Sequence, residues 1–180
     1  TLRFDWGVPA SPGQFIMVMP DSAGERIPLS VADWDAAEGS VSAVFQVVGT
    51  STHKLSLLKA GARLFACVGP LGRPSEIALF GTVLLVAGCY GIGALLPAAR
   101  ALARAGNRVL LLADVKAGSL FYWKERFAGV CGRVLASSRD LGGAGQEFAA
   151  RTITTLAAEE GRIDRVLAAG CAYLLWAVSE

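Results

Sequence analysis

Residues 83–104 read VLLVAGCYGIGALLPAARALAR, an apolar run that breaks at a glycine-rich turn and resumes at once as an amphipathic helix. Few architectures accept that order. A buried parallel strand needs continuous apolar residues. A turn built as Gly88-Cys89-Tyr90-Gly91-Ile92-Gly93 lets backbone N–H groups approach a pyrophosphate, and the helix N-terminus behind it adds its partial positive charge. The segment therefore predicts a strand, a dinucleotide-binding turn and a helix of a doubly wound sheet.

The same stretch has no charged residue from Ile77 through Ala99, long enough to cross a bilayer. Gly81, Gly88, Gly91, Gly93 and Pro97 punctuate it, however, and its period changes from strand-like to helical midway, which spanning segments rarely do. No membrane span is expected. The mean hydropathy of +0.48 traces instead to three apolar strands, TVLLVAG from Thr82, RVLLLAD from Arg108 and RVLAAG from Arg165.

A length of 180 residues suits one large domain or two small ones. The net charge is +2 and the 17 Lys and Arg are scattered singly, with no tract that would track a nucleic-acid backbone, so no nucleic-acid partner is expected. The chain opens at Thr1 with a strand-like LRFDW in place of a charged region and an apolar core, so no signal peptide is read and the first barrel strand could lie before Thr1. Cys67, Cys89, Cys131 and Cys171 form neither a disulfide framework nor a CxxC metal motif, and a cytoplasmic location is the expectation. Cys67 and Cys131 read as small core hydrophobes. Cys89 and Cys171 differ, because each follows a glycine at the end of a predicted parallel strand, where ligands sit in open α/β sheets.

Up to about residue 80 the pattern is β. Short alternating runs at Gln14–Met19, Arg26–Ala32, Val41–Val48 and Arg63–Val68 are separated by Pro, Gly, Asp and Ser, which predicts a small antiparallel barrel. One helix is expected at His53–Leu58, capped from Thr50-Ser51-Thr52. The lone His53 has no partner at a telling spacing and reads as solvated or capping. From Thr82 the pattern alternates strand and helix, with Leu95, Ala98 and Leu102 at helical spacing. The expected division is residues 1–80 as the barrel and 81–180 as an α/β domain, its last residues CAYLLWAVSE opening a helix.

Two barrel segments carry candidate chemistry. In Glu25-Arg26-Ile27-Pro28-Leu29-Ser30, Pro28 stiffens the backbone, Leu29 offers an apolar face to a flat ring and Ser30 offers a hydroxyl. In Gly69-Pro70-Leu71-Gly72-Arg73-Pro74, paired glycines bracket a tight turn beside Arg73, a composition suited to a diphosphate. Each alone also reads as an ordinary hairpin.

Taken in order, PGQFIMV, GERIPLSVADWD, VFQVVGTST, GPLGRPSEI, LLVAGCYGIG, LPAARAL, FYW and the IDRV segment give the chain a resemblance to the ferredoxin reductase superfamily. The likeness is greatest to the branch of the dihydroorotate dehydrogenase B electron-transfer subunit, the small subunit of sulfide dehydrogenase and NADH-dependent ferredoxin:NADP oxidoreductase. It implies a small antiparallel FAD-binding β-barrel followed by a Rossmann-like parallel-sheet domain for NAD or NADP. The resemblance puts Pro28, Leu29 and Ser30 at the flavin, Gly49 and Thr52 near the isoalloxazine or phosphates, and Gly69, Pro70, Leu71 and Gly72 on the FAD diphosphate side. The superfamily's usual arginine position falls on Ile27, and Arg26 stands one place earlier. In the nucleotide half it implicates Gly88, Gly91, Ile92 and Gly93 in the turn, Asp114 and Lys116 after the second strand, Asp140, and the pair Gly170-Cys171.

The departures lie in that second half. Cys89 and Gly93-Ala94 interrupt the branch's usual three glycines and Gly-Ile-Ala-Pro, one carboxylate remains at Asp140, and Cys171 replaces a proline. Asp114 favours a free ribose diol and Lys116 a 2′-phosphate, so NAD and NADP both stay open. Hydride transfer between nicotinamide and flavin asks protein groups to position rings, so no catalytic acid, base or nucleophile is expected. A [2Fe–2S] cluster would require four closely spaced cysteines, which only a segment beyond Glu180 could supply. The expected function is a flavoprotein electron-transfer subunit linking NAD(P)H to a larger redox subunit or ferredoxin-like protein. The alternative is a diverged, non-catalytic binding or assembly subunit of the same fold. Cys89 and Cys171 could also meet as a dithiol or place a thiol beside the nicotinamide, and Trp123 and Trp176 could serve a subunit contact.

Overall fold

Two sheets of different construction organise the chain, seen in a computed structural model that describes residues 2–3, 9–138 and 146–179. They fall in two compact units, Thr1–Ser75 and Glu76–Glu180.

The first unit is a five-stranded antiparallel sheet. Its strands are β1 (Leu2–Arg3), β2 (Phe15–Met19), β3 (Ile27–Asp35), β4 (Ser40–Ala43) and β5 (Ala66–Leu71), in the order β1-β4-β3-β2-β5. β3 pairs with β2 through Ile27–Ser30 and with β4 from Val31 onward, with an irregular register between Val31 and Asp33. A strand shared in this way between two ladders turns the corner of a barrel. Alternation along β2 buries Ile16 and Val18, which join Ala10, Val31 and Val41 in the core. The single helix, α1 (Thr50–Leu57), starts three residues before the expected His53 because Gly49 serves as its N-cap.

Two strands depart from expectation. β4 stops at Ala43 instead of continuing to Val48, because its ladder with β3 ends at the pair Val31–Ala43, and Val47 and Val48 are left exposed. β5 begins at Ala66 and extends to Leu71, so the GPLG segment expected as a turn lies at the end of a strand, with a cis Gly69–Pro70 bond.

The second unit is a parallel sheet of β6 (Thr82–Gly88), β7 (Arg108–Asp114), β8 (Arg133–Ser137) and β9 (Arg165–Ala169), in the order β8-β7-β6-β9. Three of these strands match the apolar runs read from sequence, while β8 was not expected. Helices α2 (Gly91–Arg104), α3 (Lys124–Ala128), α4 (Gln146–Glu160) and α5 (Ala172–Ser179) connect or follow them. Alternate strand residues feed two cores. Val83, Leu85, Ala87, Val109 and Leu111 pack with Ile92, Leu96 and Leu102 of α2, whereas Leu84, Val86, Leu110 and Leu112 pack with Leu156, Leu174 and Ala177 of α4 and α5. Both faces are covered, which is why the strands are apolar throughout.

Asn107 fixes the start of this sheet. Its Oδ1 accepts the N–H groups of Phe80 (2.7 Å) and Gly81 (3.0 Å), and its Nδ2 donates to the carbonyls of Ala78 (2.8 Å) and Leu102 (2.9 Å). A single buried amide thereby ties the segment leading into β6 to the end of α2. Among the described residues no helix is long and apolar enough to cross a membrane.

Candidate functional site

β6 is central in the parallel sheet. Its crossover through α2 leads to β7 on one side, while β9 lies on the other, so the topological switch point falls between the carboxyl ends of β6 and β9. Open α/β sheets bind ligands at such a point. Three glycines shape it. A Cβ on Gly91 would stand 2.1 Å from the Ala169 carbonyl oxygen, so the first turn of α2 rests on the β9 backbone. A Cβ on Gly88 would meet Leu174 at 2.8 Å, and one on Gly170 would come within 3.1 Å of the Gly88 Cα and amide nitrogen. The sequence fits a backbone cradle at these positions because a side chain would fill it. Ile92 and Gly93 are buried in the same first turn.

Tyr122 braces this turn. Its hydroxyl accepts the Gly93 N–H at 2.9 Å and shares its own hydrogen between the Cys89 and Tyr90 carbonyls, each 3.3 Å away. Burial holds the Tyr122 phenol above its ordinary range, so it stays a donor. The ring stacks edge-on against half-buried Trp123, over which the Arg126 guanidinium lies 4.3 Å from the centroid. Cys89 itself takes the left-handed conformation, with φ of 51°.

At the end of β7, Asp114 is buried and both carboxylate oxygens are engaged, one by the Ser137 hydroxyl and the other by the Tyr173 hydroxyl. Desolvation and the hydrogen bond to Asp114 raise the Tyr173 phenol well above its ordinary range. Lys116, two residues on, is exposed. The structure thus separates two groups that the sequence left in balance, Asp114 turned inward and Lys116 presented outward. Asp140 lies outside the described residues. Cys171 precedes α5, its carbonyl accepting the Leu174 N–H at 3.0 Å.

In the antiparallel unit, register brings part of the expected set onto one face. Pro28 and Val68 both oppose Met17, and Ser30 and Leu71 both oppose Phe15. Pro28 and Ser30 are exposed, so an apolar outer surface edged by a hydroxyl results, which fits a flat aromatic ring. Leu29 alternates to the opposite side, where it lines a cavity of about 380 Å³ with Val18, Ala43, Phe45 and Leu55. Gly69 and Gly72 are held by close approach, since a Cβ would meet Ile16 at 2.8 Å and Phe15 at 2.9 Å respectively. Pro70 lies between them in β5, and Arg26 is exposed just before β3.

Thr52 accepts the N–H groups of Val48 and Gly49 at 3.0 Å and donates to the Gly49 carbonyl at 2.9 Å. Its hydroxyl shapes the start of α1, while Gly49 has open space where a Cβ would be. Trp176 is exposed, at 63%. Among the described residues no group of three or more His, Cys, Asp or Glu could hold a metal ion.

Sequence reading missed Asn107, Ser137 and Tyr173 altogether and gave Tyr122 no role beyond its place in the FYW run. Each acts on residues more than twenty positions away, except for the Asn107 bond to Leu102, and no local spacing announces such a contact.

An antiparallel sheet followed by a four-stranded parallel sheet with a glycine-built switch point defines the ferredoxin reductase-like class, and the chain has that fold. Its relatives narrow the placement. It is 42% identical over 138 residues to the dihydroorotate dehydrogenase B (NAD(+)) electron transfer subunit homolog of Thermotoga maritima, a match covering 77% of this chain and 48% of that protein. It is 37% identical, with a TM-score of 0.81, to a chain in the structure of NADH-dependent reduced ferredoxin-NADP oxidoreductase, over 92% of this chain and 59% of that one. A cytochrome P450 reductase of Amycolatopsis, 22% identical with a TM-score of 0.72 over 97% of this chain and 57% of its own, shares the fold. The chain spans about half the length of the curated relatives it matches. No protein-family model matches it.

Proposed function

We propose that the chain is a flavoprotein electron-transfer subunit that moves electrons between NAD(P)H and a redox partner through FAD. The observation that carries this reading is the glycine cradle at the switch point, where Gly91 rests on Ala169 and Gly88 meets Gly170. A dinucleotide pyrophosphate needs that close backbone approach at a helix N-terminus. Gly88 and Gly91 would admit the pyrophosphate close to the backbone, while Tyr122 takes up the Gly93 N–H and fixes the turn. Lys116 would meet the ribose, and its exposure beside an inward-facing Asp114 favours a 2′-phosphate over a free diol.

The outer face of Pro28, Ser30 and Leu71 would receive the flavin ring, and Gly69 and Gly72 would admit its diphosphate. When bound, a flavin supplies the conversion between a hydride and single electrons. The chain's own residues bind and orient. The partner is a larger redox subunit or a ferredoxin-like protein, a reading that rests on the electron-transfer subunits among the relatives.

The purified chain mixed with FAD and passed through gel filtration is expected to retain flavin, with its two visible absorption bands and quenched fluorescence. A protein that emerges colourless supports the alternative, a binding or assembly subunit without redox chemistry. One observation favours that alternative: Asp114 is buried and each of its oxygens already accepts a hydrogen bond from inside the protein, from Ser137 and Tyr173, which turns it away from a ribose.

A further inference from the structure

Two cysteines follow the carboxyl ends of adjacent parallel strands, Cys89 directly after β6 and Cys171 shortly after β9. The ladder between β6 and β9 pairs Val83 with Arg165 and continues to Ala87 with Ala169. One step on, Gly88 and Gly170 still face each other, since a Cβ on Gly170 would lie 3.1 Å from the Gly88 Cα. Carried one residue further, the same offset sets Cys89 opposite Cys171. Adjacent strands run about 4.8 Å apart, inside the separation of about 7 Å that a disulfide tolerates between Cα atoms.

Both cysteines are reduced and half-buried, and the two thiols act directly on each other. The other two cysteines offer no such pairing. Cys131 is buried in the core beside α2, and Cys67 packs against the core of the antiparallel unit. Cys89 also stands in a left-handed conformation that favours glycine.

We propose that Cys89 and Cys171 form a redox-active dithiol that undergoes thiol–disulfide exchange with a small-molecule disulfide and, once bridged, closes the crevice at the switch point. In the first step one cysteine, as thiolate, attacks a sulfur of the small disulfide; that S–S bond breaks, a mixed disulfide forms and one small thiolate leaves. In the second step the other cysteine gives up its proton to solvent and attacks the protein sulfur of the mixed disulfide. The Cys89–Cys171 bond forms and the second small thiolate leaves. The protein loses two electrons and two protons, and the small disulfide is reduced to two thiols.

Burial, the neighbouring Cys171 and the Asp114 carboxylate hold the Cys89 thiol above its ordinary range, and the Lys116 ammonium works in the opposite direction. The bridge ties the turn before α2 to the turn before α5. Its effect on nucleotide binding rests on the function proposed above, whereas its formation does not.

The test uses the full chain in buffers of graded reduced and oxidised glutathione, followed by acid quenching, alkylation under denaturing conditions and peptide mapping by mass spectrometry. A peptide pair linked through Cys89 and Cys171 is expected to grow with the oxidised fraction and disappear with dithiothreitol, while Cys67 and Cys131 remain alkylated. Cys171→Ser should replace the bridge by a glutathione adduct on Cys89. Separate adducts on the two cysteines of the unaltered chain, or alkylation of both in every buffer, would overturn the dithiol. NADPH and NADH affinity, measured on the same samples, is expected to fall at least about tenfold on bridging and to return on reduction. Unchanged affinity in the bridged protein contradicts closure. A reduced protein that binds neither nucleotide removes the function proposed above and leaves the bridge to be judged on the peptide map.

Discussion

Gly91 lies so close to Ala169 that a single methyl group at Gly91 would stand 2.1 Å from the Ala169 carbonyl oxygen and 2.4 Å from its carbon. Neither atom can retreat without disturbing the ladder in which Ala169 pairs with Ala87. Gly91→Ala is therefore expected to cost about 2–4 kcal/mol and to lower the urea midpoint. Gly49→Ala is the control, because nothing lies within 4 Å of its Cβ position, and its stability should stay within about 0.5 kcal/mol of the original.

Asn107 uses every donor and acceptor of its side chain on backbone partners. Asn107→Ala strands the N–H groups of Phe80 and Gly81 together with two carbonyls. A loss of about 2–4 kcal/mol should appear in chemical denaturation. Asn107→Asp keeps both acceptors and loses both donors, so it should fail to restore the original stability.

Lys116 and Asp114 give opposite signals in the sequence, and burial separates them. With both Asp114 oxygens engaged inside the protein, the exposed ammonium is the group left to meet a ribose. Lys116→Ala should weaken NADPH about tenfold more than NADH in equilibrium titration. Equal losses for the two nucleotides would remove Lys116 from the selection.

The strands of the parallel unit were legible because a sheet covered on both faces admits only apolar residues, so Thr82–Gly88 and Arg108–Asp114 read as uninterrupted runs. β8 was not, although Arg133–Ser137 is an edge strand of the same length as β9 and nearly its match in sequence, RVLAS against RVLAA. In the antiparallel unit, alternation located the strands but not their ends. The limits of β4 and β5 are set by where a partner stops or a register shifts, as between Phe15 and Met17. Gly88, Gly91 and Gly170 were visible as candidates from their places at strand ends. The clamp on Asp114 by Ser137 and Tyr173 joins the ends of β7 and β8 to the first turn of α5 and left no trace in local spacing.

Cys131 sets an alkaline limit. Burial pushes its thiol up to about 11, from an ordinary value of about 9. The folded state holds this proton more tightly than the unfolded state does. The corresponding stability is complete below pH 9 and is lost as pH rises through about 11. The fall amounts to about 2–3 kcal/mol. Denaturation midpoints measured from pH 8 upward should show a shallower alkaline decline in Cys131→Ala than in the original chain; parallel declines would assign the loss to other groups.

The central claim is that a flavin on the antiparallel unit and a nicotinamide nucleotide at the glycine cradle exchange electrons. Its most direct test is anaerobic addition of NADPH or NADH to the FAD-loaded chain while the visible flavin absorption is followed. Bleaching by at least one nucleotide, lost in Gly91→Ala that still retains FAD, is the predicted result. A flavin-loaded chain whose spectrum neither nucleotide changes under reducing conditions, with Cys89 and Cys171 free, would contradict the account.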